Sequence, residues 1–268
     1  MSFILPEIEL VKIKSEKKDK FQTTFVFEPL APGYGLTIGH ALRRVLLSSL
    51  IGAAITNVKI EDASHEFSTL PGVKEDVIEI ILNLKSLRLK LTGTDKVVLK
   101  LVKKGSGEVT AGDFEKNSEV EIIDPKHHIA DLDKKGKLNI EATVEKGRGY
   151  ISTEARTDEK NPLGTIAVDA IYTPIKKIHY EVENTRVGDR TDFDKLTLDI
   201  TSDGTITPEE ALKQATEIVT DYFSNIMTKY GAGDKKVPSA KKKSAPQTKT
   251  KKPTVKTKQT VKKSPKKK

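Results

Sequence analysis

The stretch FEPLAPGYGLTIGHALRRVLLSSL, residues 27–50, holds the pattern on which the fold turns. Ile38, Ala41, Leu42, Val45, Leu46 and Ser49 recur at helical spacing and form one continuous face. A helix over 38–50 is expected, capped by Thr37 and stopped by Gly52. Leu47 lies about 180° around this helix from Ile38, on the side shared with Arg44. An apolar residue there is either a tolerated exposed leucine or part of a second surface that meets a partner.

Two further helices flank this one at a distance. Thr207-Pro208-Glu209-Glu210 reads as an N-terminus: threonine caps, proline suits the first helical position, and Glu210 completes a capping box. Ala211, Leu212, Ala215, Ile218, Val219, Tyr222, Phe223, Ile226 and Tyr230 then cover roughly half the helix, wider than a single surface stripe. Gly231 and Gly233 end it. A third helix is expected after Pro71-Gly72, with Val73, Val77, Ile80, Ile81 and Leu84 on its packed face and Glu75, Asp76, Glu79 and Lys85 opposite. Leu138, Ile140, Ala142 and Val144 alternate as a strand does, and so do Leu196, Leu198 and Ile200. Shorter strand signals fall at 8–13, 24–28, 55–60, 97–102, 120–123, 165–171 and 178–182. Strands outnumber helices without βαβ alternation, so the class is α+β with mainly antiparallel sheets.

The formal net charge of +9 is unevenly spread. Residues 234–268 hold 15 of the 47 basic residues and one of the 38 acidic ones, leaving 32 basic against 37 acidic in 1–233, a net of −5. The body is mildly acidic, which removes the main support for a nucleic-acid platform in the fold itself. The tail has three valines and nothing larger, too little apolar surface to offset ordering entropy, and is expected to be disordered. There is no cysteine, hence no disulfide and no thiolate metal site. No apolar run approaches a membrane span, and residues 1–20 lack the apolar centre of a signal peptide. A soluble, cytoplasmic, unprocessed chain is expected.

Candidate chemistry is sparse. There is no Walker-type phosphate loop and no dinucleotide fingerprint, and Gly33-Tyr34-Gly35 and Gly147-Arg148-Gly149 read as backbone turns. His127-His128 could offer a metal pair, but adjacent strand residues point to opposite faces and no Cys or nearby His completes a set, so no metal is expected there. Asp192 and Asp194, two apart on a strand, share a face and could hold Mg²⁺, yet Arg186, Arg190 and Lys195 would compete with a cation. A solvated turn entering the 196–200 strand is the simpler reading. No nucleophile–base pair can be assigned, and no catalytic residue, cofactor or metal is expected in the chain.

The segment at 27–50 resembles the hallmark segment of the α subunit family of bacterial and plastid DNA-directed RNA polymerases. Similar strings follow in the family's order: HEFSTLPGVKEDVIEIILNLK at 65–85, EKGRGY at 145–150, VDAIYTPIKKIHYEVENTRVGDRTDFDKLTLDI at 168–200 and DGTITPEEAL at 203–212. The resemblance covers about residues 1–230. It implies a discontinuous dimerisation domain from 1–51 and 178–233, an antiparallel sheet with two packed helices, and an inserted mainly-β domain at 52–177. It implies that Ile38, Leu42, Val45, Leu46, Ile218, Tyr222, Phe223 and Ile226 lie in a homodimer interface. Positions matching Arg44, Leu47 and Glu79 engage the large β subunit in that family, and those matching Lys85, Val168, Ile175 and Lys195 engage β′. The implied role is a non-catalytic assembly scaffold, with ω and σ joining the complex, in the cytoplasm at the nucleoid or in a plastid stroma.

The family usually continues through a linker into a compact DNA-binding domain, whereas here a lysine-rich tail at 234–268 follows. The tail could hold upstream DNA non-specifically through phosphate contacts, or serve only for solubility. Two other functions compete: a standalone basic nucleic-acid-binding dimer, and a metal-dependent nucleotidyltransferase using Asp192 and Asp194.

Overall fold

The computed structural model describes residues 10–63, 65–156, 162 and 164–230. The chain opens with β1 (Lys12–Asp19), β2 (Gln22–Leu30), α1 (Tyr34–Ser48) and β3 (Ile51–Ile60). It continues through α2 (Val77–Ser86), β4 (Leu89–Leu91), β5 (Lys96–Lys104), β6 (Gly107–Thr110), β7 (Val120–Ile122) and β8 (His128–Leu132). Then come β9 (Lys137–Arg148), β10 (Tyr150–Ile151), β11 (Thr165–Ala167) and β12 (Ala170–Ile171). It closes with β13 (Ile175–Val187), β14 (Arg190–Ser202) and α3 (Pro208–Tyr230). The class is α+β and every strand pairing is antiparallel.

Two sheets organise the fold. The first has the order β1-β2-β14-β13, so residues from the two ends of the described chain share one sheet. α1 packs on β13 and β14 and against α3. Phe25, Phe27, Leu42, Leu46, Leu196, Leu198 and Ile200 are buried between these layers. The second sheet runs β5-β9-β3-β4-β7, with β11 also on β3. Its core, with Val58, Ile80, Leu84, Leu101, Ile140 and Val144, is covered by α2. The alternation of Leu138, Ile140, Ala142 and Val144 buries all four on β9, as period-two patterning requires.

α1 begins at Tyr34, four residues before the start expected from its apolar face. Gly33 turns the chain into the helix at φ 84°, a conformation that favours glycine. Thr37 does not cap; its hydroxyl donates to Gly33 O at 3.1 Å from inside the first turn. The buried face is Gly35, Gly39, Leu42 and Leu46, while Ile38, Ala41 and Val45 are only half-buried. Glycine carries no hydropathy signal, but here it allows close approach: a Cβ on Gly39 would lie 2.8 Å from a ring carbon of Tyr180 and 2.9 Å from a methyl of Leu196. Leu47 does not stand clear of the core. It is half-buried against it, because α1 is covered by the sheet and by α3 rather than on one side alone. Ser49 is the C-cap, and Gly52 lies in β3 instead of stopping the helix.

α2 starts later than expected. Asp76 is its N-cap, accepting from Glu79 N at 3.0 Å, and Val73 forms a bridge with Leu132 instead of a helical turn. α3 starts where its cap signals place it, with Thr207 Oγ1 accepting from Glu210 N at 3.3 Å. The strand expected at 165–171 is two, because Val168 leaves the ladder to bond Thr56 O. Residues 8–9 of the first expected strand, the glycines at 231 and 233 and the lysine-rich tail lie outside the described residues. No helix among the described residues is long and apolar enough to cross a membrane.

Candidate partner-binding surfaces

α3 is half covered. Ala211 and Ala215 are buried and Leu212, Ile218 and Val219 are half-buried, but every residue from Asp221 to Tyr230 is exposed. Tyr222, Phe223 and Ile226 are 67%, 66% and 55% exposed, and Met227 and Tyr230 continue the patch. Beside it runs an apolar groove of about 1000 Å³ between the β1–β2 edge, α1 and α3. Phe27, Leu30, Ile38, Ala41, Leu212 and Phe223 are among the residues on its walls, and Glu209, Lys213 and Glu217 lie along it. The Lys17–Glu209 ion pair, at 3.0 Å, ties the start of α3 to the sheet. An apolar surface of this kind, rimmed by polar groups, is larger than scattered exposed side chains would make.

The eight residues expected at a dimer interface divide. Tyr222, Phe223 and Ile226 are open, and Ile38, Val45 and Ile218 are half-buried. Leu42 and Leu46, 6% and 0% exposed, are buried in the chain's own core and can only support such an interface from behind.

Arg44 is exposed on α1, while its neighbour Arg43 reaches back to Ile178 O at 3.1 Å. Glu79 is exposed in the first turn of α2, beside a shallow depression that also includes Leu82 and Asn83. Lys85 is half-buried and bonds Asp169 at 3.0 Å. Asp169 also accepts from Thr153 N, and that bond together with the lysine holds its carboxyl below the usual range. Lys195 pairs with Glu183 at 2.8 Å. Val168 and Ile175, both 3% exposed, sit in the two different cores. Both are covered by their own chain.

Asp192 and Asp194 do not lie in a solvated turn; both are within β14. Each is already engaged. Asp192 accepts two hydrogen bonds from the Arg190 guanidinium, at 3.1 and 2.9 Å, which hold it below the usual carboxylate range. Asp194 is buried and accepts from Gly35 N at 2.9 Å, so a carboxylate from β14 meets the N-terminal turn of α1, where helix amides favour negative charge. Sequence reasoning missed this role, since nothing local marks a contact 159 residues away.

His127 and His128 also have different surroundings. His127 Nε2 lies 2.9 Å from Asn83 O. His128 sits among Glu75, Glu108 and Asp131, and its imidazole pKa is raised, chiefly by Glu108 and, against the effect of burial, also by Glu75.

Residues 58–173 match the family model described as the RNA polymerase Rpb3/RpoA insert domain. Over 217 residues the chain is 51% identical to a DNA-directed RNA polymerase subunit alpha of Moorella thermoacetica, covering 81% of this chain and 69% of that one. Proteins of the same name from Symbiobacterium thermophilum and Clostridium acetobutylicum are 50% and 49% identical, covering 81% and 83% of this chain and 68% and 70% of theirs. Identity near one half over about four-fifths of the chain means that it belongs to the family of DNA-directed RNA polymerase α subunits.

Proposed function

We propose that the chain is a non-catalytic scaffold on which the polymerase assembles. Two copies dimerise through α3 and the adjoining groove, and the dimer then recruits the large β and β′ subunits. The observation that carries this reading is the uncovered apolar half of α3, with Tyr222, Phe223 and Ile226 open beside an apolar groove. A helix face wider than one protomer buries is stabilised when a second copy covers it, and a twofold pairing presents the same patch from both sides. The segments 1–51 and 178–233 form the dimerisation domain in this reading, and 52–177 the inserted domain. Arg44, Leu47 and Glu79 engage β, with the forked guanidinium of Arg44 as the anchor. Lys85 and Lys195 engage β′, with Val168 and Ile175 setting the shape of that surface. ω and σ join the complete complex, which works in the cytoplasm, and the chain itself needs no cofactor.

The test is recovery of β and β′ with the tagged chain from nuclease-treated lysate. Both large subunits should co-purify at stoichiometric levels, and Arg44→Ala should reduce β retention. Loss of both partners after nuclease treatment would instead identify a nucleic-acid-binding protein. The 15 lysines of 234–268 add a second element: the tail holds DNA by phosphate contacts. Chains ending at Gly233 should show promoter affinity that is weaker at low salt and less salt-dependent. Unchanged affinity from low to moderate salt refutes the tether.

A further inference from the structure

His128 and Asp131 are three apart on β8, a spacing that places side chains on opposite faces of a regular strand. The register shows why they meet. Asp131 pairs with Glu108 and Ala130 with Val109, but Thr110 pairs with His128, so Ile129 is an extra residue, a bulge. A bulge re-aims the side chains beyond it. It brings His128 round to Asp131, next to Glu75 from the segment before α2. His128, Glu75 and Asp131 each present a ligand atom within 4.8 Å of the others.

We propose that these three side chains bind one divalent transition-metal ion of the borderline class, zinc foremost. The imidazole is the reason for that class: calcium and magnesium take oxygen ligands, whereas a mixed nitrogen and carboxylate set suits zinc. The three ligands have the support such sites use. His128 Nδ1 lies 2.9 Å from Glu108 Oε1, a carboxylate placed to accept a hydrogen bond from Nδ1–H, which makes Nε2 the ligating nitrogen once a metal displaces its proton. Nε2 in turn faces Glu75 Oε1 at 3.3 Å. Glu75 is fixed by its other oxygen, which accepts from Asp131 N at 2.7 Å, and its side chain is only 11% exposed. Charge favours a cation as well. Glu108 and Asp131 are cross-strand partners, a like-charge pairing that costs stability, and Glu75 adds a third carboxylate. Lys103 is engaged by the Glu108 carbonyl at 2.6 Å and by Asp113, and the contact of Lys74 with Asp131 is long at 3.6 Å and largely solvated. Zinc–ligand bonds near 2 Å put neighbouring ligands roughly 3.3 Å apart, so small side-chain rotations close the site. Three protein ligands leave a fourth position for water. The ion would tie the segment before α2 to the paired strands β6 and β8 and so fix the helix that carries Glu79 and Lys85.

The experiment is calorimetric titration of the EDTA-stripped, full-length chain with zinc chloride, alongside visible spectroscopy with cobalt(II). One ion per chain is expected, with a cobalt d–d band. His128→Asn should abolish both signals, and His127→Asn should keep both. Glu108→Gln, which removes only the orienting partner, should weaken zinc binding about 10- to 100-fold. Thermal melts monitored by circular dichroism check that each variant folds. If His128→Asn does not, Glu108→Gln decides, and weakening below about threefold overturns the proposal. Absence of binding to the parent chain, or equal binding by a folded His128→Asn, overturns it too.

Discussion

Replacing Phe223 by alanine tests the paired-chain reading at the most exposed large apolar residue that lines the groove. Phe223 is 66% exposed in the single chain, so a partner has about two-thirds of the side chain left to cover. Full burial of a phenylalanine contributes about 1.5–3 kcal/mol, which gives ~1–2 kcal/mol for the uncovered share. A twofold interface contains the residue twice, so the dimer loses ~2–4 kcal/mol. At 1.4 kcal/mol per tenfold, the dissociation constant rises roughly 30- to 700-fold. Sedimentation velocity over a concentration series measures this directly. Thr228→Ala, about 140° around α3 from Phe223 and away from Tyr222 and Ile226, serves as the control and should leave the constant unchanged. Helix content should also be unchanged, because the phenylalanine makes few contacts within its own chain. A shift below about threefold, or a parent chain that stays monomeric at every concentration, would refute the argument.

The remaining predictions concern the supports beneath the surfaces. Gly39→Ala forces a methyl against Tyr180 and Leu196 and should destabilise the fold by about 1–3 kcal/mol, read as a lower urea midpoint at constant slope. Asp194→Ala removes the carboxylate at the start of α1 and should cost ~0.5–2 kcal/mol, whereas Asp192→Ala, an exposed site, should stay within about 0.5 kcal/mol. The depressed carboxyl of Asp169 contributes stability that is fully present above its ordinary value of 3.8 and is lost as pH falls through the lower folded value. Lys85→Ala should therefore raise the Asp169 midpoint toward 3.8 in a carboxyl NMR titration, and weaken β′ retention in the same variant.

What could be read along the chain follows the range of the interactions involved. α3 was legible because its signals are local: Thr207, Pro208 and Glu210 lie within four residues, and the apolar arc that follows them is visible as wider than a single surface stripe. The β9 alternation was legible for the same reason. α1 was misread at its start because its sheet-facing residues are glycines, whose importance is the absence of a side chain, and because its N-terminal turn is met by a carboxylate from β14. β1, all eight residues exposed and mostly charged, carries no period to read and is held as a strand by β2, its one sheet neighbour among the described residues. His128 is the sharpest case. Nothing near it in sequence completes a ligand set, because Glu108 and Glu75, which meet its ring, lie 20 and 53 residues away. Asp131 was close enough, but only a bulge brings it to the same face, and bulges leave no periodic trace. A cluster built from a register shift and a cross-strand neighbour comes together only after the sheet has formed. The same holds for Lys85 and Asp169, 84 residues apart, where the charge was visible in the sequence and the partner that orients it was not.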